Sequence, residues 1–312
     1  TSRYVKRYPD RSWLKYQYMV CPTCGAYQSL LVASDNEQHV SQCKICQTSW
    51  KEAHKKGKFI IPQFGFIAEN KTTEPGDSKP ERTYTSRTYF SGLVNQLEPI
   101  SIPIGGINIK IVAGINETLA VINDAGGKQF LICETCGYGE ISDSKIHNHE
   151  NAMGNKCGGT LRSLSLGHEF LTDVIQVCFD DVTSEGNKFW YSLLYALLNG
   201  ISIVLDVERN DIDGVLYPLK ISDKKVQSYS LIFFDNVPGG AGHVKRLTES
   251  NDIIIETLKQ TLSLLKQCDC GGEEGNASCY GCLRSYRNQF CHDLLKRRPV
   301  IDFLSTLSLI HI

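Results

Sequence analysis

The spacing of the cysteines constrains the fold of this chain more than any other feature of its sequence. Thirteen cysteines occur among 312 residues, and most of them fall into closely spaced pairs. An odd number of cysteines arranged in this way argues against a framework of disulfide bonds and favours metal binding. The N-terminal residues lack the apolar centre of a signal peptide, and no run approaches the ~18 apolar residues that a membrane span needs. We therefore expect a cytoplasmic metalloprotein with no membrane partner.

The first cysteine group has the spacing of a four-thiolate zinc site. Its two CxxC pairs can each form a short turn that directs both sulfurs at one ion. Zinc is expected because it takes four thiolates in tetrahedral geometry. Four unrelated core cysteines are the alternative, but buried cysteines have no reason to adopt this spacing. The predicted ligands are Cys21, Cys24, Cys43 and Cys46.

The second group holds three cysteines and needs a fourth ligand of another type. Cys133 and Cys136 form a CxxC pair, and Cys157 follows later in the chain. An imidazole completes such a site without changing its tetrahedral geometry. His147 and His149 both lie in the intervening loop, and we predict that His149 is the ligand. A site completed by water, or a site that has decayed, is the alternative.

The third group begins with a CxC pair and ends with a CxxC pair, and its position among glycines favours one metal ion. The predicted ligands are Cys268, Cys270, Cys279 and Cys282, and Cys291 is an alternative for one of them. Catalytic zinc normally keeps three protein ligands and one open position, whereas four-ligand sites are closed. We therefore predict three structural Zn²⁺ ions, which replace the core that small ribbons cannot build.

The pattern of polar and apolar residues predicts a mixed α+β protein, in which an antiparallel β zinc-ribbon region precedes an α/β domain with the C-terminal four-cysteine zinc site. Alternation over residues 101–132 predicts an antiparallel meander. After Gly167, strands interleave with helices. One helix is expected to be capped at residues 183 and 184, and a long helix to cover 243–267. The predicted regions are residues 1–70 (zinc ribbon), 71–166 (β-rich, second zinc knuckle) and 167–312 (α/β domain).

A glycine-rich turn at residues 235–243 joins a predicted strand to a predicted helix. Its backbone N–H groups could bind an anion such as phosphate. The alternative is that the glycines only let helix and sheet approach closely. His243 and Lys245 also match the HxK half of a phospholipase-D-type nuclease motif, but Ser250 occupies the position of the required Asp and there is no second copy.

Basic and aromatic residues are interleaved near the start of the chain, which suits a surface that follows a nucleic-acid backbone and stacks on its bases. A solvated face with ordinary aromatic residues is the alternative. The predicted DNA contacts are Arg3, Lys6, Arg7, Arg11, Trp13 and Lys15, with Tyr4 and Tyr16 as further stacking residues. A second basic cluster, expected on a helix, contains the predicted contacts Arg284 and Arg287 together with Lys296, Arg297 and Arg298.

The chain contains no GxxxxGK[ST] phosphate loop, no acidic helicase box and no GxGxxG fingerprint. It is therefore not expected to hydrolyse ATP, and we predict no enzymatic activity in this chain alone. Its formal net charge of −1 excludes a histone-like polycation.

Several stretches resemble the MrfA-like zinc-binding C-terminal domain family. They are FDNVPGGAGH at residues 234–243, the four cysteines of the third group, and LRSYRNQ at 283–289. With SCYGC at 278–282 and His292, the last stretch is most similar to DrmB-like proteins of the DISARM anti-phage system, and the likeness covers about residues 59–298. The resemblance implies zinc binding by the four cysteines and association with a superfamily 2 helicase that acts on DNA. It supplies no active site.

Three hypotheses for the function follow. The first is a non-catalytic zinc-binding module that assists DNA or partner binding in a helicase- or translocase-type complex, in anti-phage defence. Its ATPase would be another subunit or an upstream helicase-like segment. The alternatives are a cryptic nuclease that uses His243 and Lys245, and a purely structural scaffold for a helicase partner. DNA cleavage by the purified chain would support the nuclease, and a lack of DNA affinity would support the scaffold.

Overall fold

The computed structural model describes residues 2–8, 13–21, 23, 25–32, 42–49, 55–68, 85–141, 148–183, 187–222, 225–272 and 274–307. The chain divides into two compact units, each formed by several segments. Unit 1 comprises Thr1–Pro22, Tyr27–Tyr89 and Ala120–Glu169. Unit 2 comprises Thr23–Ala26, Phe90–Leu119 and Phe170–Ile312. The mixed α+β class predicted from the sequence is confirmed.

The described residues form the following strands and helices in chain order. The strands are β1 (Ser2–Val5), β2 (Lys15–Val20), β3 (Tyr27–Leu31), β4 (Lys55–Ile60), β5 (Phe66–Ala68), β6 (Ser86–Phe90), β7 (Ile100–Ile104), β8 (Ile107–Asn123), β9 (Phe130–Cys133), β10 (Gly139–Glu140), β11 (His149–Glu150), β12 (Lys156–Cys157), β13 (Leu161–Phe179), β14 (Ile212–Ser222) and β15 (Lys225–Asp235). The α-helices are α1 (Lys188–Leu205), α2 (Asn251–Gln267) and α3 (Arg297–Thr306). The predicted boundary between residues 166 and 167 falls inside β13, and the one between 70 and 71 lies outside the described residues.

Unit 1 is built around strands paired in the order β10-β9-β13-β4-β2-β3. β13 runs parallel to β4, with Ser165 opposite Phe59, and the other pairs in this order are antiparallel. One apolar cluster contributed in part by these strands contains Trp13, Ile132 and Leu164. The predicted meander is only partly correct. β7 and β8 form an antiparallel hairpin, but β9 pairs with β13 and β10 instead of continuing it.

Unit 2 packs its helices against strands, with β15 antiparallel to both β13 and β14. Its core joins helix and strand residues, among them the fully buried Trp190, Phe179 and Phe233. α1 is long and apolar enough to cross a membrane by length and composition. However, 61% of it is buried within the fold, as in the central helix of a folded core.

α1 and α2 come into close contact at Gly200. A Cβ atom at this position would lie 2.0 Å from Thr261 Oγ1 and 2.9 Å from the carbonyl oxygen of Thr257. Because the second atom belongs to the backbone, a larger residue would push the two helices apart. The glycine therefore sets how closely α1 and α2 can approach each other.

Two predicted helix starts are wrong. α1 begins after Asn187 and not after Thr183, and Ser184, the other predicted cap, lies outside the described residues. The stretch from His243 is not one helix, because a 3₁₀ helix over Val244–Thr248 precedes α2. Ser250 separates the two, since its extended backbone lets its side-chain oxygen accept a hydrogen bond from the first turn of α2.

Candidate metal centres

The structure gathers the predicted ligands into three clusters, in each of which the candidate ligand atoms lie within 4.8 Å of one another. We call them site A (Cys21, Cys43, Cys46), site B (Cys133, Cys136, His149, Cys157) and site C (Cys268, Cys270, Cys279, Cys282). Cys24, the fourth predicted ligand of site A, lies outside the described residues. The chain thus carries three cysteine-rich groups able to hold zinc, as predicted.

The distances between the sulfurs fit a shared zinc ion. A tetrahedral site with Zn–S bonds of ~2.3 Å has S···S edges of about 3.8 Å. The Sγ–Sγ distance is 3.5 Å between Cys21 and Cys46 and 3.8 Å between Cys133 and Cys157. In site C three pairs lie 3.6, 3.6 and 3.8 Å apart. A disulfide would bring two sulfurs to about 2.05 Å, so these thiols are not bridged.

Site A combines the end of a strand with a tight turn. Cys21 directly follows β2. In the turn that begins at Cys43, the N–H of Gln47 donates to the Cys43 carbonyl at 3.0 Å, and the N–H of Ile45 lies 3.4 Å from Cys43 Sγ. Backbone N–H groups directed at sulfur stabilise a thiolate. The turn is therefore shaped to present an ionised ligand.

Site B has the same kind of turn at the end of β9. The N–H groups of Thr135 and Cys136 lie 3.3 and 3.5 Å from Cys133 Sγ. On the other side, the N–H of Gly159 lies 3.4 Å from Cys157 Sγ. A Cβ atom on Gly159 would lie only 2.6 Å from Cys133 Sγ, so this position leaves room for the ligand atom.

His149 is brought to site B by the short β11–β12 hairpin. It lies directly opposite Cys157 in the strand register, so the two side chains share one face. The imidazole is 7% exposed and packs against the ring of Tyr138 at 5.0 Å. Neither ring nitrogen has a hydrogen-bond partner within the described residues. Since a buried nitrogen without a partner is costly, coordination of an ion would satisfy one of them. The donor set therefore fits zinc.

The ligands of site C come from the end of α2 and from the loop that follows it. Cys268 is the C-terminal cap of α2, and the CxxC turn returns the carbonyl of Cys279 to the N–H groups of residues 282–284. Two buried or half-buried side chains brace the site from outside. Arg297 donates to the Cys270 carbonyl at 2.9 Å, and Asn199 of α1 donates to the Cys282 carbonyl at 2.5 Å. Such outer hydrogen bonds orient metal ligands.

The ionisation of the thiols also favours a bound cation. Burial, together with hydrogen bonds to neighbouring thiols, raises the pKa of Cys136 to about 12. In site C burial likewise raises the pKa of Cys282, and nearby thiols add to the effect. Burial also opposes ionisation of Cys133, but hydrogen bonds from the backbone and adjacent thiols bring its pKa below the usual value. Sites B and C thus each favour one thiolate at the expense of others, and a cation would allow all of them to ionise.

The cationic side chains of the N-terminal segment contact site B. Glu134, inside its CxxC turn, accepts a hydrogen bond from Lys15 and forms an ion pair with Arg162 at 3.4 Å. Arg7 donates to the backbone carbonyl of Glu134 and lies over the Trp13 ring at 5.9 Å. Lys15 and Arg7 therefore connect the start of the chain to the second zinc knuckle, a role that the sequence did not reveal.

The predicted stacking role of Trp13 is wrong. Its indole is 5% exposed, and its Nε1–H donates to the Lys6 carbonyl at 3.0 Å. Tyr4 is also buried, whereas Tyr16 is half-buried and stacks on Phe59 at 5.1 Å. These rings fill the interior of unit 1 and do not form a base-stacking surface. Arg11 and the side chain of Arg3 lie outside the described residues.

The second basic cluster was expected on one helix, but the structure distributes it over several elements. Residues 280–288 form turns, a 3₁₀ helix covers Gln289–Leu294, and only then does α3 begin. Arg284 and Arg287 lie in the turns. Arg297 is buried and is not part of a basic surface. Its guanidinium donates to backbone carbonyls around site C. In the sequence, the only indication that Arg297 supports site C is its position shortly after the cysteine-rich loop.

The glycine-rich turn binds an anion that belongs to the chain itself. The fully buried carboxylate of Asp235 accepts hydrogen bonds from the N–H groups of Ala241 (2.7 Å), His243 (3.0 Å) and Val244 (2.9 Å). The N–H groups that the sequence offered to a phosphate are therefore already occupied. At Gly240, which has a φ of +74°, a Cβ atom would lie 3.1 Å from Asp173, so close packing explains this glycine.

Two further expectations concern single residues. Among the described residues, His243 belongs to none of the clusters of potential metal ligands, and its N–H is used to hold Asp235. Cys291 does not replace a ligand of site C. It is buried in the apolar core, and its thiol donates to the Asn288 carbonyl at 3.2 Å.

One family model matches part of the chain. The MrfA Zn-binding domain family matches residues 193–283, a segment that contains all four cysteines of site C. No curated protein matches the chain.

Two solved structures are similar to parts of the chain. They are a crystal structure of the DUF1998 helicase MrfA bound to DNA (14% identity, TM-score 0.35) and one of the same helicase bound to DNA and AMPPNP (13% identity, TM-score 0.28). Each alignment covers 71% of this chain but only 26% and 22%, respectively, of the helicase chain. The chain thus spans about a quarter of the length of these structures.

Proposed function

We propose that this chain is a non-catalytic zinc-binding module of a helicase- or translocase-type DNA-processing complex, in which it assists the binding of DNA or of a partner. One observation carries the proposal: a closed cluster of four thiols lies inside the segment that matches the MrfA Zn-binding domain. Ions held by four protein ligands have no open position for a substrate. The zinc ions therefore serve folding and presentation of the surrounding loops.

The same geometry supports a structural role for site B. Its ligands come from three short strands, β9, β11 and β12, and from the turn that follows β9; β11 and β12 contain only two residues each. Elements this short cannot bury enough apolar surface to hold together alone. A zinc ion would supply the missing stabilisation, so loss of a ligand should unfold the local region before it alters any other property.

The ATPase is proposed to be another subunit or an upstream segment, because the chain has no phosphate-loop motif. A role in anti-phage defence rests on the resemblance of residues 278–292 to DrmB-like proteins of the DISARM system. The proposed location is the cytoplasm, where pairs of thiols stay reduced.

Copurification tests this function. The full-length protein would be expressed with its chromosomal neighbours and isolated through a tag on this chain. A helicase-type ATPase should copurify, and DNA should stimulate ATP hydrolysis by the complex. A variant with Cys279 and Cys282 changed to Ser should lose the association if site C presents the binding surface.

The alternative outcomes are distinct. Association without DNA affinity at any salt concentration would support the scaffold hypothesis. Metal-dependent DNA cleavage by the purified chain, abolished by His243→Ala, would support the nuclease. A chain that copurifies with no ATPase and binds no DNA would overturn the proposal.

A further inference from the structure

An exposed aromatic and basic loop lies next to site C. Tyr280 is 67% exposed, Tyr286 50% and Phe290 37%. Among the described residues after Val237, these three are the large hydrophobic side chains exposed to solvent, and none of them is aliphatic. We call residues 280–292 the Tyr286 loop. Tyrosine and arginine are also enriched in protein–protein interfaces, so a protein partner is one outcome of the test below.

The backbone of the Tyr286 loop is held by two polar side chains. Fully buried Asn288 accepts a hydrogen bond from the N–H of Ser285 at 2.7 Å and donates to the Leu283 carbonyl at 2.8 Å. His292 Nε2 lies 3.0 Å from the Ser285 carbonyl. Its ring also contacts Tyr280 edge-on at 5.7 Å. The two tyrosines are thus carried by one fixed scaffold, because Tyr286 directly follows Ser285.

Two arginines lie in the same loop. The Arg284 Nε–H donates to Ser278 Oγ at 2.9 Å, which holds its side chain against the start of the loop. Arg287 lies 3.7 Å from the carboxylate of Asp213 and remains 41% exposed. This distance is longer than a hydrogen bond and the guanidinium is partly accessible, so its cation can also serve an incoming phosphate. Guanidinium groups have several donors and can contact Asp213 and a phosphate at once.

We propose that the Tyr286 loop binds single-stranded nucleic acid, with bases stacked on Tyr286 and Tyr280 and with Arg284 and Arg287 on the backbone. This inference rests on the proposed function and names the surface that carries out its DNA binding. Flat rings alternating with cations match unpaired bases, whose faces are open for stacking. A duplex hides these faces and is read instead by elements that enter a groove.

Binding of a fluorescein-labelled oligothymidylate to the full chain, followed by anisotropy, tests the surface. Tyr286→Ala should weaken binding about 5- to 150-fold, the range expected for loss of one stacked base. Tyr286→Phe should bind like the native chain, because it keeps the ring. Arg287→Ala should weaken binding. It should also make the negative slope of log affinity against log salt shallower by about 0.7, the value for one phosphate contact on a single strand. Lys266→Ala, which removes an exposed cation from α2, is the charge-matched control and should have little effect.

Zinc content and circular dichroism of each variant establish that site C is intact. If Tyr286→Ala and Arg287→Ala bind like the native chain, the surface is wrong although DNA binding itself stands. Preference for a duplex of the same length would overturn the stacking mode. If the native chain has no affinity for the oligonucleotide at low salt, the DNA-binding part of the proposed function fails together with this inference. Binding of a protein partner that depends on Tyr286, without DNA affinity, would replace nucleic acid as the occupant.

Discussion

Replacement of Arg297 provides the sharpest test of how site C is held together. The side chain is 6% exposed, and its guanidinium donates to three carbonyl oxygens: that of Leu265 at 2.9 Å, Cys270 at 2.9 Å and Gly272 at 3.2 Å. One of these belongs to the last turn of α2, where a cation also interacts favourably with the helix dipole. A single residue therefore connects the end of α2 to the loop that carries two of the zinc ligands.

Arg297→Ala should lower the free energy of unfolding by about 3–5 kcal/mol. Each buried carbonyl left without a donor costs ~1–3 kcal/mol, and partial access of water to the new cavity reduces the sum. Because the total stability of a folded domain is only ~5–15 kcal/mol, this loss would be evident in a urea titration. Arg297→Lys should recover part of it, since an ammonium group cannot reach three carbonyls in the fixed geometry of a guanidinium.

Arg298→Ala is a matched control, because the neighbouring arginine is 53% exposed and makes a surface ion pair with Asp302 at 2.8 Å. This change should alter stability by less than ~0.5 kcal/mol. Unfolding would be followed by circular dichroism in the presence of zinc, and zinc release by a coloured chelator. The chelator should remove zinc faster from Arg297→Ala than from the control. Equal stability of the Arg297→Ala and Arg298→Ala variants would refute the bracing role.

Three further predictions concern the metal sites and their surroundings. Elemental analysis of freshly purified protein should find three zinc ions per chain, and one or fewer would contradict the assignment. His149→Ala should lose one of them while His147→Ala keeps all three; the reverse result would identify His147 as the ligand. The hydrogen bond from Lys15, with help from Arg162, lowers the pKa of Glu134. The stability that this contact contributes is therefore fully present above the ordinary glutamate pKa of ~4.3, and it is lost as the pH falls through the lowered pKa. The difference in Tm between the native chain and Lys15→Met should therefore be present at neutral pH and vanish in acid, and a constant difference would refute it.

The metal sites could be predicted because their information is local. A CxxC turn determines its own backbone geometry, and the need for a fourth ligand pointed to a histidine in the loop before Cys157. The β11–β12 register places the predicted one, His149, opposite Cys157. The strand order could not be predicted in this way. The parallel pairing of β4 with β13 joins segments that are about a hundred residues apart, and no local pattern specifies it.

The charged residues show the same limit. The sequence marks Asp235 and Arg297 as polar, yet it does not show which partners will surround them. Asp235 faces three N–H groups of a glycine-rich turn, and Arg297 faces carbonyls. In both cases a buried charge satisfies backbone groups that would otherwise lack partners. The glycine-rich turn, which resembled an anion-binding site in the sequence, therefore already binds the side chain of Asp235.

The distribution of these internal contacts limits how strongly DNA binding can depend on salt. Arg7 and Lys15 are held by Glu134 in the folded chain, so fewer cations remain for phosphates than the sequence suggested. If all seven basic residues first assigned to DNA made phosphate contacts, the slope of log affinity against log salt would be about −5, at ~0.7 per contact on a single strand. If Arg284 and Arg287 make most of these contacts, the slope should be about −1.4, and stacking should supply much of the remaining affinity. Titrations of a labelled oligonucleotide at several salt concentrations measure this slope directly. A value near −5 would show that the N-terminal segment releases its internal contacts on binding, and it would move the main DNA contact back to that segment.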